Sequence, residues 1–369
     1  MITIQDILAA IGVVFNGIPM MIFAMSYGFL AAPTAIGYMI GAGGMLIASQ
    51  VMPISIQAGT IALVGTLGKD VKERLSIALY AGIFMAVVGM LGLIHIVRDF
   101  AGIRIVAAMQ AGVGIILAKV AIDMIKSDKF VGLISLVTAL LVWLVSHLVG
   151  QAPQALVYTI VISVIVSSVA FLIKNKKPMD IMSEKYKLTL YKPAINYNII
   201  RGALALACLT IGSNIAFGNI TAGMPGAAAF YAEAGQAPNI NALTVYSGLA
   251  NLSAIFGGAP VEAIISATGA APNPMIAAIL MMVIMAVILV TGLLPKMARF
   301  VPMQSIAGFL FIIGSFATIP GNAFTAFNNA SVLERAGAGL TVIVTALTDP
   351  FIGLASGTLF MRVAPLFGM

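Results

Sequence analysis

The chain has 369 residues, of which 61% are hydrophobic and only 8% are charged, with a net charge of +7 and a mean hydropathy of +1.10. A soluble domain carries roughly 25% charged residues, so a water-soluble enzyme is excluded. The single cysteine, Cys208, rules out a disulfide framework or a thiolate metal cluster.

From the N-terminus, no residue between Ile7 and Gly68 is charged, and the same holds from Phe130 to Leu172. One helical crossing needs about 20 apolar residues, so each stretch holds more than one. The alternating short segments of an outer-membrane barrel are absent. The start of the chain has no basic n-region or small-residue cleavage site, so the first apolar stretch is expected to stay in the mature protein. The pattern predicts spans near 7–30, 34–51, 54–67, 75–95, 102–124, 130–149 and 153–173, then 198–221, 241–257, 260–270, 274–294, 302–319, 335–348 and 349–366. The fold class expected is therefore an all-α polytopic membrane protein of about 14 spans, placed in the cell membrane.

Residues 1–173 are read as a first membrane repeat, 174–198 as a basic polar connector and 199–369 as a second repeat. The connector holds Lys174, Lys176, Lys177, Lys185, Lys187 and Lys192, and Pro178 and Pro193 interrupt it. At an offset of 200, Gly92, Leu93, Phe100, Ala107 and Gly114 fall on Gly292, Leu293, Phe300, Ala307 and Gly314. Seven spans per repeat is an odd number, so the two repeats must be inverted in the membrane. Two segments, 54–67 with Pro53 and 260–270 with Pro260, are too short to cross as plain helices and hold the same place in each repeat. Paired broken segments point to a binding site at the bilayer midplane.

Polar groups at that depth are costly and mark function. Glu262 follows Gly257, Gly258, Ala259 and Pro260 in the second broken segment, within a charge-free run from Ala234 to Pro295. It suits proton coupling, hydrogen bonding to a ligand, or a tie between helices. Gln57 lies in the first broken segment, and Asn214 and Asn219 lie in the eighth span. Amides offer donors and acceptors together, as a heterocycle requires, and serve equally as glue between helices. Lys119 and Asp123, four residues apart, are expected to form a structural ion pair, with a proton or ion relay as the alternative. No Ser/His/Asp set, phosphate loop or HExxH motif is present, so nothing supports an enzyme and no cofactor is called for. The positive charge fits loops facing anionic lipid and cytoplasm rather than nucleic acid.

The stretch GGAPVEAIISATGAAPNPMIAAILMMVIMAVILVTGLLPKMARFVPMQSIAGFLFIIGS resembles the nucleobase–cation symporter 2 family, the xanthine/uracil permeases, and within it the guanine/hypoxanthine/adenine branch. IFAMSYGFLAAPTA, FAGIRIVAAMQAGVGIIL and TDPFIGLASGTLFMRVAPL resemble that family's first, fifth and last spans. The resemblance implies 14 spans in two inverted repeats, with core and gate domains. It also implies secondary active, proton-coupled uptake of a purine or pyrimidine, often by a homodimer. In this reading Glu262 is the main substrate ligand and the ion-coupling residue, with Gln57, Asn214, Asn219 and Ser266 completing the site. The chain departs from the family at two places. The carboxylate usual six residues after the proline is Ser266 here, and the acid of the eighth span is replaced by Asn214 or Asn219. The rival readings are an anion carrier of the sulfate/bicarbonate type with the same fold, and a passive channel. Lys/Arg counting puts the Lys174–Lys192 connector in the cytoplasm and both termini outside, whereas the resemblance implies the reverse.

Overall fold

The computed structural model describes residues 2–150, 155–175 and 189–367; most of the basic connector, 176–188, lies outside them. The first half contains α1 (Ile4–Ser26), α2 (Ala31–Ile47), α3 (Ala58–Leu67), α4 (Val71–Met90), α5 (Ile94–Ala101), α6 (Ile103–Ser127), α7 (Lys129–Leu148) and α8 (Ala155–Asn175). The second contains α9 (Tyr197–Ala222), α10 (Pro225–Glu233), α11 (Ile240–Ala250), α12 (Pro274–Val290), α13 (Leu293–Ala298), α14 (Ala307–Ile312), α15 (Ile319–Phe327), α16 (Val332–Leu347) and α17 (Pro350–Val363). A π-helical turn, Ile313–Thr318, joins α14 to α15 in one long span. Pro320, which cannot donate to the carbonyl one turn back, lies two residues beyond that turn.

The protein is a multi-pass helical membrane protein with about 14 spans in two inverted seven-span repeats. Apart from α10, which the second repeat inserts after its first helix, both repeats run in the same order: a long helix, a shorter one, a broken segment, a helix, a short connecting helix, then three more spans. The sequence reading did not resolve the short helices α5, α10 and α13. The repeat at offset 200 has a backbone counterpart, because Gly92 (φ 70°) and Gly292 (φ 67°) both turn the chain in the left-handed region. There a glycine lacks the Cβ clash that other residues incur.

Cα packing divides the chain into two compact units, each drawing on both repeats: 1–94 with 181–298, and 95–180 with 299–369. In the first unit the two broken segments meet. Pro53 and Pro260 stop helix growth, and the chain passes instead into β1 (Ile54–Ser55) and β2 (Glu262–Ala263). These pair antiparallel, Ile54 opposite Ala263 and Ser55 opposite Glu262. In the second unit, α6 crosses the π turn through repeat mates Gly114 and Gly314. A methyl group at Gly114 would lie 2.8 Å from the Gly314 carbonyl oxygen, and one at Gly314 would lie 2.6 Å from that of Gly114.

The expected Lys119–Asp123 pair does not form. Asp123 instead bonds Lys126, one turn nearer the helix end, at 3.3 Å. Between α6 and α7, Asp128 caps α7 by accepting from Phe130 N and Val131 N, and it binds Lys174 of α8 at 3.0 Å.

Candidate functional site

Unwound backbone at membrane depth needs partners for every N–H and C=O group. Side chains of neighbouring helices supply them in the first unit. From α2, Thr34 Oγ1 accepts from Ala259 N at 2.8 Å, and the Tyr38 hydroxyl accepts from Ile56 N at 3.3 Å. From α9, Asn214 Oδ1 accepts from Ala263 N at 3.1 Å, and Thr221 Oγ1 accepts from Ser266 N at 3.1 Å while donating to Ile264 O. Asn251, just past α11, accepts from Val261 N at 2.7 Å. These contacts hold β1 and β2 open where a helix would otherwise run.

Glu262 lies on β2, 2% exposed. The hydroxyls of Thr60 on α3, and of Thr210 and Ser213 on α9, approach its carboxyl. Those of Thr60 and Thr210 do not reach hydrogen-bond geometry: their Oγ1 atoms and Glu262 Oε2 are buried without a partner. Among the described residues no cation forms a salt bridge with Glu262. Buried polar atoms are normally satisfied; here a carboxyl oxygen and the two hydroxyls beside it lie together without well-formed hydrogen bonds among the described residues.

Gln57 is the N-cap residue of α3, half-buried, and its side chain does not cap the helix. The first N–H groups of a helix have no internal acceptor and carry the positive end of its dipole. The start of α3 therefore offers Ala58, Gly59 and Thr60 N–H groups beside the Thr60 hydroxyl. An acceptor-rich, negatively charged ligand is what such an arrangement binds.

The other residues expected at the site separate into two groups. Asn214 is fully buried, but both ends of its amide are used, one by Ala263 N and the other by Thr244 Oγ1 at 3.3 Å. Ser266 is also fully buried and is committed to capping the turn Ala267–Ala270 through Thr268. Both thus shape the broken segments. Asn219 is exposed on α9 and lies outside the cluster. The sequence reading missed Thr60, Thr210 and Ser213. Thr210 precedes Asn214 by one helical turn, and that spacing on one face of α9 was the available signal.

No protein-family model matches the chain, and no curated protein is similar to it in sequence. Solved structures are similar in fold. The transmembrane domain of the bicarbonate transporter BicA of a cyanobacterium gives a TM-score of 0.68 at 15% identity, over 96% of this chain and 97% of that one. SLC26A9 gives 0.70 at 15% identity, over 99% of this chain and 65% of that one. The murine anion transporter Slc26a9 in its inward-facing state gives 0.65 at 14% identity, over 99% and 68%. The chain thus spans about two thirds of the SLC26A9 chains. The fold is that of inverted-repeat membrane transporters.

These findings correct the nucleobase reading. The structural neighbours named above are a bicarbonate transporter and SLC26A9 anion transporters, and they give no support to a nucleobase-specific permease. The motifs that suggested the permease family are apolar stretches that pack the fold, such as Met281, Met282 and Met285 of α12, all fully buried. Such buried apolar positions specify how helices meet and do not distinguish one ligand from another. Two of the polar residues in the stretch that resembles the permeases already departed from the permease pattern in sequence; Ser266 proves to be a turn cap and Glu262 lies on a strand.

Proposed function

We propose that the protein is a secondary carrier of small anions, the reading that the nucleobase permease displaced at first. The observation that carries it is the cluster of Glu262 Oε2, Thr60 Oγ1 and Thr210 Oγ1, buried and unpartnered beside the uncapped start of α3. Hydroxyl and N–H donors complement an anion's oxygens, and the helix dipole favours its charge. The names of the structural neighbours, a bicarbonate transporter and an anion transporter, support the same reading.

Glu262 makes the carrier proton-coupled. An anion and an ionised carboxylate cannot share a site that lacks a cation, because each raises the cost of the other. A protonated Glu262 instead donates a hydrogen bond to the anion. Anion and proton therefore bind together and leave together. Gln57 contributes its amide, while Asn214 and Ser266 hold the frame. The lipid bilayer is the protein's solvent.

A thermal-shift panel on purified protein tests the substrate class, since a ligand that binds only the native state stabilises it. Sulfate, bicarbonate, nitrate or chloride should raise the melting temperature at matched ionic strength, and uracil, xanthine or guanine should leave it unchanged. Stabilisation by a nucleobase, or by no anion of the panel, would contradict the proposal.

A further inference from the structure

In the second unit, α6 is covered along only part of its length. Arg104 at its start bonds Glu334 of α16 at 3.1 Å. Two turns on, a methyl group at Gly112 would lie 2.6 Å from Thr345 Cβ and 2.9 Å from the Val342 carbonyl oxygen. The helix α16 therefore runs alongside the first half of α6, in the same direction. It has 16 residues, about 24 Å at 1.5 Å per residue, and falls short of a hydrocarbon core of about 30 Å. The turn at Thr348 and Asp349 thus comes level with about residue 115 of α6, three residues beyond the Gly112 contact.

Past that turn the same face of α6 continues with Ile115, Lys119, Ile122 and Lys126, at the i, i+4, i+7, i+11 spacing of one helix face. Ile115 is 40% and Ile122 42% exposed, and Lys119 is exposed between them. Among the described residues Lys119 makes no salt bridge and no hydrogen bond. The carboxylate one turn away, Asp123, is taken by Lys126. Lys119 lies eight residues before the helix end at Ser127, about 12 Å along the axis. This is deep for an ammonium, although a lysine stem can carry its charge toward the interface.

We propose that this uncovered face of α6 binds the phosphate of an anionic phospholipid, with Lys119 as its principal cation and Lys126 as the second. The charges favour that occupant: two lysines against one aspartate leave a net positive face, which a phosphodiester balances. The exposed isoleucines that flank Lys119 match acyl chains, which a free phosphate does not bring. A headgroup with its own ammonium would set a third cation beside the two lysines, so the headgroup as a whole must be net negative. The short α16–α17 hairpin leaves the space in which the headgroup descends.

The test uses the full chain in detergent, with phosphatidylglycerol, phosphatidylcholine and inorganic phosphate as probes, read by native mass spectrometry and thermal shift. Phosphatidylglycerol should give more retained adducts and a larger melting shift than phosphatidylcholine, and inorganic phosphate should give neither. Lys119→Gln should lose at least half of the phosphatidylglycerol-specific increment, and Lys119→Arg should keep it. Lys126→Gln, at an exposed position near the helix end, gives an independent reading and should lose a smaller part. The proposal is overturned if Lys119→Gln or Lys126→Gln keeps the full increment, if phosphatidylcholine equals phosphatidylglycerol, or if inorganic phosphate reproduces the shift. None of these readouts depends on transport, so failure here is separable from failure of the anion-carrier reading.

Discussion

Replacing Glu262 with Gln keeps the shape of the side chain and removes its proton. In the proposed carrier, the anion meets either a neutral acid that donates a hydrogen bond or a carboxylate that repels it. Glu262 is 2% exposed, so solvent screens the repulsion poorly. Charge centres about 4 Å apart at an effective dielectric of about 20 interact by about 4 kcal/mol. At 1.36 kcal/mol per decade that is about a thousandfold in affinity between the two protonation states. Anion affinity should therefore fall about tenfold per pH unit once pH rises through the titration of Glu262. In Glu262→Gln the slope should vanish, while affinity stays within about tenfold of the protonated parent, since one neutral donor replaces another at about 0.5–1.5 kcal/mol. The assay is anion-induced thermal stabilisation, or direct titration, from pH 5 to 8 at constant ionic strength. A Gln variant that retains the parent's pH slope would refute the coupling argument, because the titrating group would then lie elsewhere.

Thr60→Val and Thr210→Val remove hydroxyls with no protein partner, so anion affinity should drop by about 0.5–1.5 kcal/mol with little change in melting temperature. Asn214→Leu should show the opposite pattern, a stability loss of about 1–3 kcal/mol as Ala263 N loses its acceptor, visible in thermal melts even without ligand. Gly114→Val should destabilise by about 1–3 kcal/mol by overpacking, since a side chain there meets the Gly314 carbonyl; an unaltered melt would disprove the close crossing. For Asp128, burial opposes ionisation, but the Lys174 hydrogen bond and charge and the Val131 and Phe130 N–H groups outweigh it and hold the carboxyl below its ordinary value. Its contribution to stability is thus complete above the ordinary carboxylate range and is lost as pH falls through the lowered value. Asp128→Ala should cost about 0.5–2 kcal/mol, the loss of a helix cap, at neutral pH and little in strong acid, measured by melts at the two pH values. The charge bias predicts a cytoplasmic connector, so Lys185→Cys in a Cys208→Ala background should resist a membrane-impermeant thiol reagent on intact cells, and rapid labelling would reverse that orientation.

The fold was legible because its signals are long or repeated. Charge-free runs gave the spans, and the offset of 200 was confirmed in the φ values of Gly92 and Gly292 and the crossing of Gly114 with Gly314. Pro53 and Pro260 marked both broken segments, because proline cannot continue a helix. Their pairing as β1 and β2 was not legible, since a two-residue ladder leaves no periodic pattern. Glu262 stood out as a lone charge in an apolar run, and the structure places it on the strand that pairs with the first broken segment. Thr60, Thr210 and Ser213 did not stand out, as hydroxyls in membrane helices commonly bond their own backbone and only packing reveals which of them do not. The two asparagines looked alike in sequence, and five residues along α9 put one inside the frame and the other at the surface. Substrate class was the least legible property, because most positions that resemble the permeases are apolar and record helix packing, and at the polar ones, Ser266 and Asn214 or Asn219, the chain departs from the permease pattern.

Ion-driven pH change in proteoliposomes tests the proton-coupled anion carrier most directly. Vesicles holding the protein and an internal pH dye, with membrane potential clamped, receive an inward gradient of sulfate, nitrate or chloride, strong-acid anions with no neutral form that crosses bare lipid. The account predicts internal acidification that saturates with anion concentration and is absent from Glu262→Gln vesicles and from protein-free lipid. Anion entry without acidification, or acidification by Glu262→Gln equal to the parent, would contradict it.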